Sequence, residues 1–435
     1  MKIAIIADLH LNKSTYKQFM DRDEFPTLPF RNADFMRSFR WIIDQCVKQI
    51  KPNFIVINGD IYDTYDPNNE VRGFFSEQLS RCVEAKIPVL MLLGNHDVCM
   101  RHHALTDIEK LKLKNIRVVS SSRIIDFAGQ DNKSNIRLLL FPYSLDIERK
   151  IVSIKDSFRE FKNEVEKKEP SKGPVLFFGH FPVLNAVLNT YNQEEQDGIS
   201  EITNTTTTES MMTEKQYYNR NKNDISAEDL DSIGANYVFL GDLHNYQILN
   251  TKKCISMYSG SIEKNSFNEV NQKKGFVLYD DSLENEGNMG CCRFIEYPYC
   301  RPMLDLRGNL DVMRKQFNKI DPSEYKNTIV RLNFEGTSSE SAEFSANIEK
   351  FKKDILDKTK AIHIYSNAPV VVDPEVAAAI SKIEKEIQER GHMEAADIIE
   401  VVKEIISEKV KDDKEKKETI DLAIQIYQET MKIRK

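Results

Sequence analysis

Phe54-Ile55-Val56-Ile57 runs almost directly into Gly59-Asp60-Ile61-Tyr62-Asp63. The apolar run reads as a buried strand, and the glycine and carboxylates that follow sit where strand gives way to loop. The same grammar recurs four times. Lys2-Ile3-Ala4-Ile5-Ile6-Ala7 leads to Asp8-Leu9-His10, and Val89-Leu90-Met91-Leu92-Leu93 leads to Gly94-Asn95-His96-Asp97. Val175-Leu176-Phe177-Phe178 leads to Gly179-His180, and Tyr237-Val238-Phe239-Leu240 leads to Gly241-Asp242-Leu243-His244. In an open α/β sheet, ligands bind in the crevice outside the carboxyl ends of the strands. Five strand ends therefore deliver carboxylate, imidazole and amide groups to one rim.

The donor set bounds the metal. Carboxylate and amide oxygens are hard and imidazole is borderline, so the mixture suits Mn²⁺, Fe or Zn²⁺, with the oxygen-rich members leaning toward Mn²⁺. There are too many ligands for one tetrahedral ion. Two divalent ions bridged by a carboxylate fit better, an arrangement typical of phosphoester hydrolysis.

The order D-x-H, G-D-x-x-D, G-N-H-D, G-H, G-D-x-H resembles the five motifs of the calcineurin-like metallophosphoesterases. Within them the chain looks most like the SbcD-type nuclease subunit of the SbcCD DNA-repair complex and its archaeal, eukaryotic and phage relatives. Gly59 through Thr64 is similar to the bacterial form of the second motif. Tyr258-Ser259-Gly260-Ser261-Ile262-Glu263, Phe267 and Lys274-Gly275-Phe276-Val277-Leu278-Tyr279 resemble the segment closing the nuclease domain. Arg301-Pro302 through Gly308 and Ile329-Val330-Arg331-Leu332 resemble the capping domain of that group. Asp63-Thr64 stands where phosphoprotein phosphatases carry Asp-Arg-Gly, which disfavours them.

The resemblance implies a site. One ion takes Asp8, His10 and His244, the other takes Asn95, His180 and Asp242, and Asp60 bridges them. A metal-bound hydroxide attacks phosphorus in line. His96 is the unligated acid beside the scissile phosphate, and Asp63 stands behind the ligands in support. Two positions depart from the usual pattern. Asp242 replaces the first His of a Gly-His-x-His, so three carboxylates face two divalent ions and leave one less positive charge to acidify water and hold phosphate. Asn12 replaces a common Gly, which is minor because Asn tolerates unusual backbone angles.

At 435 residues the chain exceeds a single core. The sequence predicts an α/β nuclease domain over 1–285, a two-layer β-sandwich flanked by helices, with a polar insertion at 190–224. An α+β capping domain over 293–372 and a helical partner-docking segment over 375–435 follow. Phe35, Phe39, Ile42, Ile43, Cys46, Val47 and Ile50 keep a helical rhythm ahead of the second strand. The start of the chain lacks a secretory pattern and no apolar run is long enough for a membrane span, so a cytoplasmic protein is expected. The seven cysteines form no CxxC pair, which suits reduced thiols.

A net charge of −7 argues against a protein that coats DNA unaided. It leaves room for local basic contacts, for which Lys13, Arg31, Arg101 and Lys264 are the candidates, together with Arg22, Lys273 and Lys274. The resemblance implies DNA as substrate, an SMC-like coiled-coil ABC ATPase docked on 375–435, and a homodimer within a heterotetramer. The alternatives are a small-molecule or cyclic-nucleotide phosphodiesterase on the same fold, or a scaffold subunit weakened by Asp242.

Overall fold

Strand β1 (Lys2–Ile6) shows why the chain layers as it does. Ile3 and Ile5 point to one face and Ala4 and Ile6 to the other, and all four are fully buried. The strand must therefore be covered on both sides. In the computed structural model, which describes residues 1–13, 24–128, 135–184, 186, 224–283, 289–334 and 342–367, this is what happens. The chain divides into two compact units, Met1–Arg301 and Pro302–Lys435.

The first unit holds two six-stranded sheets. One runs β12-β11-β1-β2-β3-β4 and the other β5-β6-β7-β8-β10-β9. In the first, β1, β2 (Phe54–Asn58), β3 (Val89–Leu92) and β4 (Ile116–Val119) pair in parallel, and β11 (Gly275–Asp280) and β12 (Cys292–Glu296) are antiparallel. In the second, β6 (Asn135–Phe141), β7 (Val175–His180), β8 (Tyr237–Gly241) and β10 (Ile255–Tyr258) are parallel, edged by antiparallel β5 (Arg123–Ala128) and β9 (Gln247–Leu249).

Ile3, Ile5, Phe54 and Val56 meet Leu138, Leu140, Phe178 and Phe239 in the core between the sheets. Ala4, Ile6, Ile55 and Ile57 turn outward onto helices α1 (Phe30–Asp44) and α2 (Asn69–Glu84), against Phe35, Phe39, Phe75 and Leu79. The second sheet turns Leu139, Phe141, Phe177 and Leu240 onto Phe158 and Phe161 of α3 (Ile154–Glu166). The result is a helix–sheet–sheet–helix sandwich, the fold the five strands lead one to expect. The rhythm read over 35–50 is real but not all α-helix: α1 passes into a π-helical turn, Gln45–Ile50, that ends at left-handed Lys51. None of the seven cysteines, all among the described residues, forms a disulfide.

The second unit has a parallel sheet of β13 (Met303–Gly308), β14 (Ile329–Phe334) and β15 (His363–Asn367). Leu306, Met313, Phe317, Leu332, Phe351 and Ile355 form its core. The start of the expected capping domain, 293–296, is instead part of β12 at the edge of the first sheet, because Phe294 and Ile295 register against Val277 and Phe276. The tail at 375–435 and the insertion at 190–224, apart from its final residue, lie outside the described residues, as does Arg22. Among the described residues no helix is long and apolar enough to cross a membrane.

Candidate metal centre

The five motifs converge because their glycines let them. A Cβ on Gly59 would lie 2.0 Å from Nδ1 of His180, and one on Gly94 would lie 2.2 Å from Oδ1 of Asp60. Only hydrogen fits at either place. The loops after β1 and β2 are zipped together by backbone bonds from His10 N–H to the Asp60 carbonyl (3.0 Å) and from Leu11 N–H to the Ile61 carbonyl (3.0 Å). Asp8, His10, Asp60 and Asp242 all take positive φ, at 51°, 41°, 50° and 96°. Such angles cost non-glycine residues about 1–2 kcal/mol each, and four together at the strand ends mark a place where the fold holds the backbone against its preference.

Three overlapping sets of side chains bring ligand atoms within 4.8 Å of one another: Asp8, His10 and His244; His10, Asp60 and His96; and Asp8, Asp60 and His180. Nε2 of His10 faces Nε2 of His244 at 2.9 Å. Nε2 of His180 lies 3.0 Å from Oδ1 of Asn95, 3.3 Å from Oδ1 of Asp60 and 4.0 Å from Oδ1 of Asp242. Every one of these imidazoles turns its other nitrogen away. His180 Nδ1 donates to the Asn58 carbonyl (2.9 Å), His244 Nδ1 donates to Glu269 (2.8 Å), and His10 Nδ1 sits 3.2 Å from Asp63. For His180 and His244, fixing the Nδ1 proton leaves the Nε2 lone pair aimed into the centre, which is how ligating histidines are held.

Two carboxylate oxygens in this centre, Asp8 Oδ2 and Asp242 Oδ2, are buried with no hydrogen-bond partner. A buried anionic oxygen without a donor is costly unless a cation answers it. The residues present therefore fit divalent ions. Protons act as substitutes in the metal-free chain. Burial disfavours the charged His180, but the Asp60 charge outweighs it and holds the imidazole well above its ordinary value. Burial pushes Asp242 up to about 6, with the Asp60 and Asp8 charges adding to it against the pull of His180. Ion uptake must then release protons. Below about pH 6 Asp242 is neutral and a poor ligand; above it the carboxylate is free. Mn²⁺ affinity measured by calorimetry is expected to weaken as pH falls through about 6, where Asp242 takes up its proton.

Three supporting residues are given no role by the sequence, although one of them, Asp97, closes a quoted motif. Asn58, fully buried at the end of β2, donates from Nδ2 to the carbonyls of Gly179 (2.9 Å) and Phe239 (3.0 Å), stapling one sheet to the other under the centre. Glu269 also accepts from buried Lys274 (2.6 Å) and from Asn265 N–H (2.9 Å). Asp97, the last residue of Gly94-Asn95-His96-Asp97, accepts from the N–H groups of Gly94 (3.0 Å), Ile61 (3.2 Å) and Tyr62 (3.1 Å) and so locks the third motif to the second. Asp97→Ala leaves three buried donors unmet. It is expected to cost about 3 kcal/mol of stability, read as a lower urea midpoint with unchanged slope.

His96 is the most open of the set, 42% exposed. Its Nδ1 donates to the Asp63 carbonyl (2.8 Å), its backbone N–H donates to Asp60 Oδ1 (2.9 Å), and its Nε2 lies 4.0 Å from Asp60 Oδ2. Asp63 holds His10 and Lys13 with its carboxylate and His96 with its carbonyl.

The basic candidates divide. Lys13 pairs with Asp63 at 2.8 Å beside the centre, and Arg101 is exposed on the loop after His96. Arg31 is a correction: it is 1% exposed, bound to Asp34 at 2.7 Å and to the Lys264 carbonyl, and 3.7 Å from Glu263. It can hold no phosphate. Lys274 is likewise sealed, with four acceptors around Nζ: Glu269, Ser261, Gln272 and the His244 carbonyl. Lys264 is half-buried, and Lys273 is exposed and paired with Glu296 at 3.0 Å.

A sequence profile described as calcineurin-like phosphoesterase matches residues 1–246. The chain is 25% identical over 295 residues to the SbcD component of the nuclease SbcCD from Staphylococcus epidermidis, a match covering 66% of this chain and 67% of that one. It is 32% identical over 96 residues to the DNA double-strand break repair protein Mre11 of Sulfurisphaera tokodaii, 22% of each chain. To the Mre11 of Archaeoglobus fulgidus it is 31% identical over 121 residues, 27% of this chain and 25% of that one. The archaeal matches thus span under a third of either protein. Among solved structures, GAP50, the anchor in the inner membrane complex of Plasmodium, covers 69% of this chain and 85% of its own at a TM-score of 0.38 and 14% identity.

Proposed function

The chain belongs to the calcineurin-like phosphoesterases, and we propose that within that family it is a two-metal DNA nuclease, working with a coiled-coil ABC ATPase in processing DNA ends. The observation that supports this most is the join of two facts. Asp8, His10, Asp60, Asn95, His180, Asp242 and His244 surround buried carboxylate oxygens that lack donors, and the surrounding sequence is similar over 295 residues to a nuclease subunit.

Divalent ions in such a centre supply positive charge to the phosphoryl oxygens and lower the pKa of water. The rest falls to the chain. His10 and His244 on one side, and Asn95, His180 and Asp242 on the other, orient the donors, while Asp60 lies between them. His96 presents Nε2 on the open side. Because Nδ1 is committed to the Asp63 carbonyl, a proton on Nε2 is the one available to the departing oxygen. On this reading Lys13, neutralised in part by Asp63, and Arg101 meet the flanking backbone phosphates. Mn²⁺ remains the ion favoured by the oxygen-rich donor set.

The assay that tests this compares Mn²⁺-dependent cleavage of linear duplex DNA, single-stranded DNA and a cyclic nucleotide. Cleavage of DNA supports the reading. Turnover of the cyclic nucleotide with DNA left intact favours a small-molecule phosphodiesterase instead. On the same reading the ATPase docks on residues 375–435. Deleting them is expected to abolish association with the coiled-coil partner in a pull-down while leaving ion binding unchanged; aggregation of the truncated chain counts against it. Dimerisation and a cytoplasmic place of work belong to the same proposal.

A further inference from the structure

The chain that leaves the third motif folds back on itself at once. Val98 pairs with His103 as an antiparallel bridge, Cys99 N–H donates to the His102 carbonyl (3.0 Å), and Ala104 N–H donates to the Asp97 carbonyl (2.8 Å). Cys99-Met100-Arg101-His102 is therefore the tip of a short antiparallel hairpin, closed by its own backbone. Arg149 anchors it from outside, donating Nε to the Met100 carbonyl at 2.8 Å.

Three of the four side chains on this tip can ligate a metal, and their donors are sulfur and nitrogen. Cys99 Sγ lies 3.5 Å from His102 Nδ1 and 4.0 Å from its Nε2. Sulfur and nitrogen bound to one ion at about 2.3 and 2.0 Å stand about 3.5–3.7 Å apart. The Cys99–His102 spacing is thus that of two ligands on a shared ion. His102 is exposed, and its ring is free to turn Nδ1 toward that ion. Met100 is 58% exposed, a thioether that the fold leaves in water. No residue of the tip belongs to the centre at the strand ends. His103 stays out of the set, because it is buried and its Nε2 is taken by Glu109 at 3.1 Å. Among the described residues no carboxylate joins Cys99 and His102 in a cluster of ligand atoms.

The donors select the ion. Thiolate and thioether are soft and imidazole is borderline, a set that suits Cu⁺ and offers nothing to hard Mg²⁺ or Mn²⁺. A structural Zn²⁺ calls for four strong ligands, whereas Cu⁺ is satisfied by fewer and accepts a thioether. We infer that the Cys99-Met100-Arg101-His102 tip is a metal site separate from the strand-end centre, binding a soft monovalent ion of the Cu⁺ class through Cys99 Sγ, His102 Nδ1 and Met100 Sδ. The ion takes the place of the Cys99 thiol proton, which is released to water. The same tip carries exposed Arg101, the candidate contact for a DNA phosphate, so the ion is held beside that contact.

The test keeps the two sites apart. Reduced full-length chain, free of oxygen, is first equilibrated with Mn²⁺ to fill the oxygen-rich donors. It is then titrated with Cu⁺ carried by the competing chelator bicinchoninate, whose colour reports transfer. One Cu⁺ per chain is expected to move to the protein with Mn²⁺ content unchanged. Cys99→Ser is expected to abolish the transfer. His102→Ala and Met100→Leu are each expected to weaken it by at least the roughly 10- to 100-fold usual for a residue that only supports a metal site. Cys291→Ser and Cys300→Ser, at the other two partly exposed thiols, are expected to leave it unchanged. No transfer, transfer that expels Mn²⁺, or transfer undiminished by Cys99→Ser or Met100→Leu overturns the inference. The unaltered chain gives an independent check by peptide mass mapping after alkylation. Cu⁺ is expected to shield Cys99 from iodoacetamide, and equal labelling of Cys99 with and without Cu⁺ overturns the inference.

Discussion

Asp60→Asn is expected to leave a folded chain that holds at most one ion and has no measurable phosphodiesterase activity. Asp60 is fully enclosed, its Oδ1 3.3 Å from His180 Nε2 and its Oδ2 3.7 Å from His10 Nε2 and 4.0 Å from His96 Nε2. Its carboxylate reaches rings on both sides of the centre. Burial alone would raise its pKa, but the His180 charge outweighs burial and holds it well below the usual carboxylate range, so it stands ionised and ready to bridge. Asparagine keeps the shape and can still accept the His96 N–H bond, yet its neutral oxygen cannot bridge two cations. Ion content by elemental analysis and turnover should therefore fall together. Retention of two ions by Asp60→Asn removes Asp60 as the bridge.

His96→Asn is expected to separate those two readouts. Turnover should drop by roughly 10²- to 10⁴-fold, the range usual for a general acid, with both ions retained. The His96 ring is 42% exposed and bonds through Nδ1 to the Asp63 carbonyl, while the backbone N–H that donates to Asp60 is preserved by asparagine. The geometry also permits a competing role, because His96 shares ligand distance with His10 and Asp60. Parallel loss of an ion and of activity assigns His96 to the ligands; loss of turnover alone assigns it to proton transfer. The drop should shrink with a substrate whose leaving group needs no proton, such as a nitrophenyl diester.

The candidate ligands are legible in the sequence because each closely follows a strand, and strand ends are where an α/β sheet presents side chains. What stands behind them is not. Glu269 lies 25 residues after His244 on a short 3₁₀ turn, between the quoted Phe267 and Lys274, and it comes to the ring ahead of β11, which pairs with β1. Asn58 reads as no more than the polar end of a strand; its role needs the second sheet, which local sequence does not place. Arg31 does carry a local signal. Asp34 stands three residues on, along the same helix face, where an ion pair forms readily. Assigning 293–296 to the second domain follows from its position after a turn, whereas pairing to β11 is decided by register across the sheet. Asn12, singled out as a residue able to take an unusual angle, does so, at φ 78°.

If the five strand ends build a dinuclear centre that cleaves DNA, the most direct measurement incubates end-labelled linear duplex with the full chain, with and without Mn²⁺, beside Asp60→Asn prepared in the same way. Shortened DNA is predicted only for the wild type and only with added ion. Intact DNA under every condition, from a chain shown to hold two Mn²⁺ ions, contradicts it.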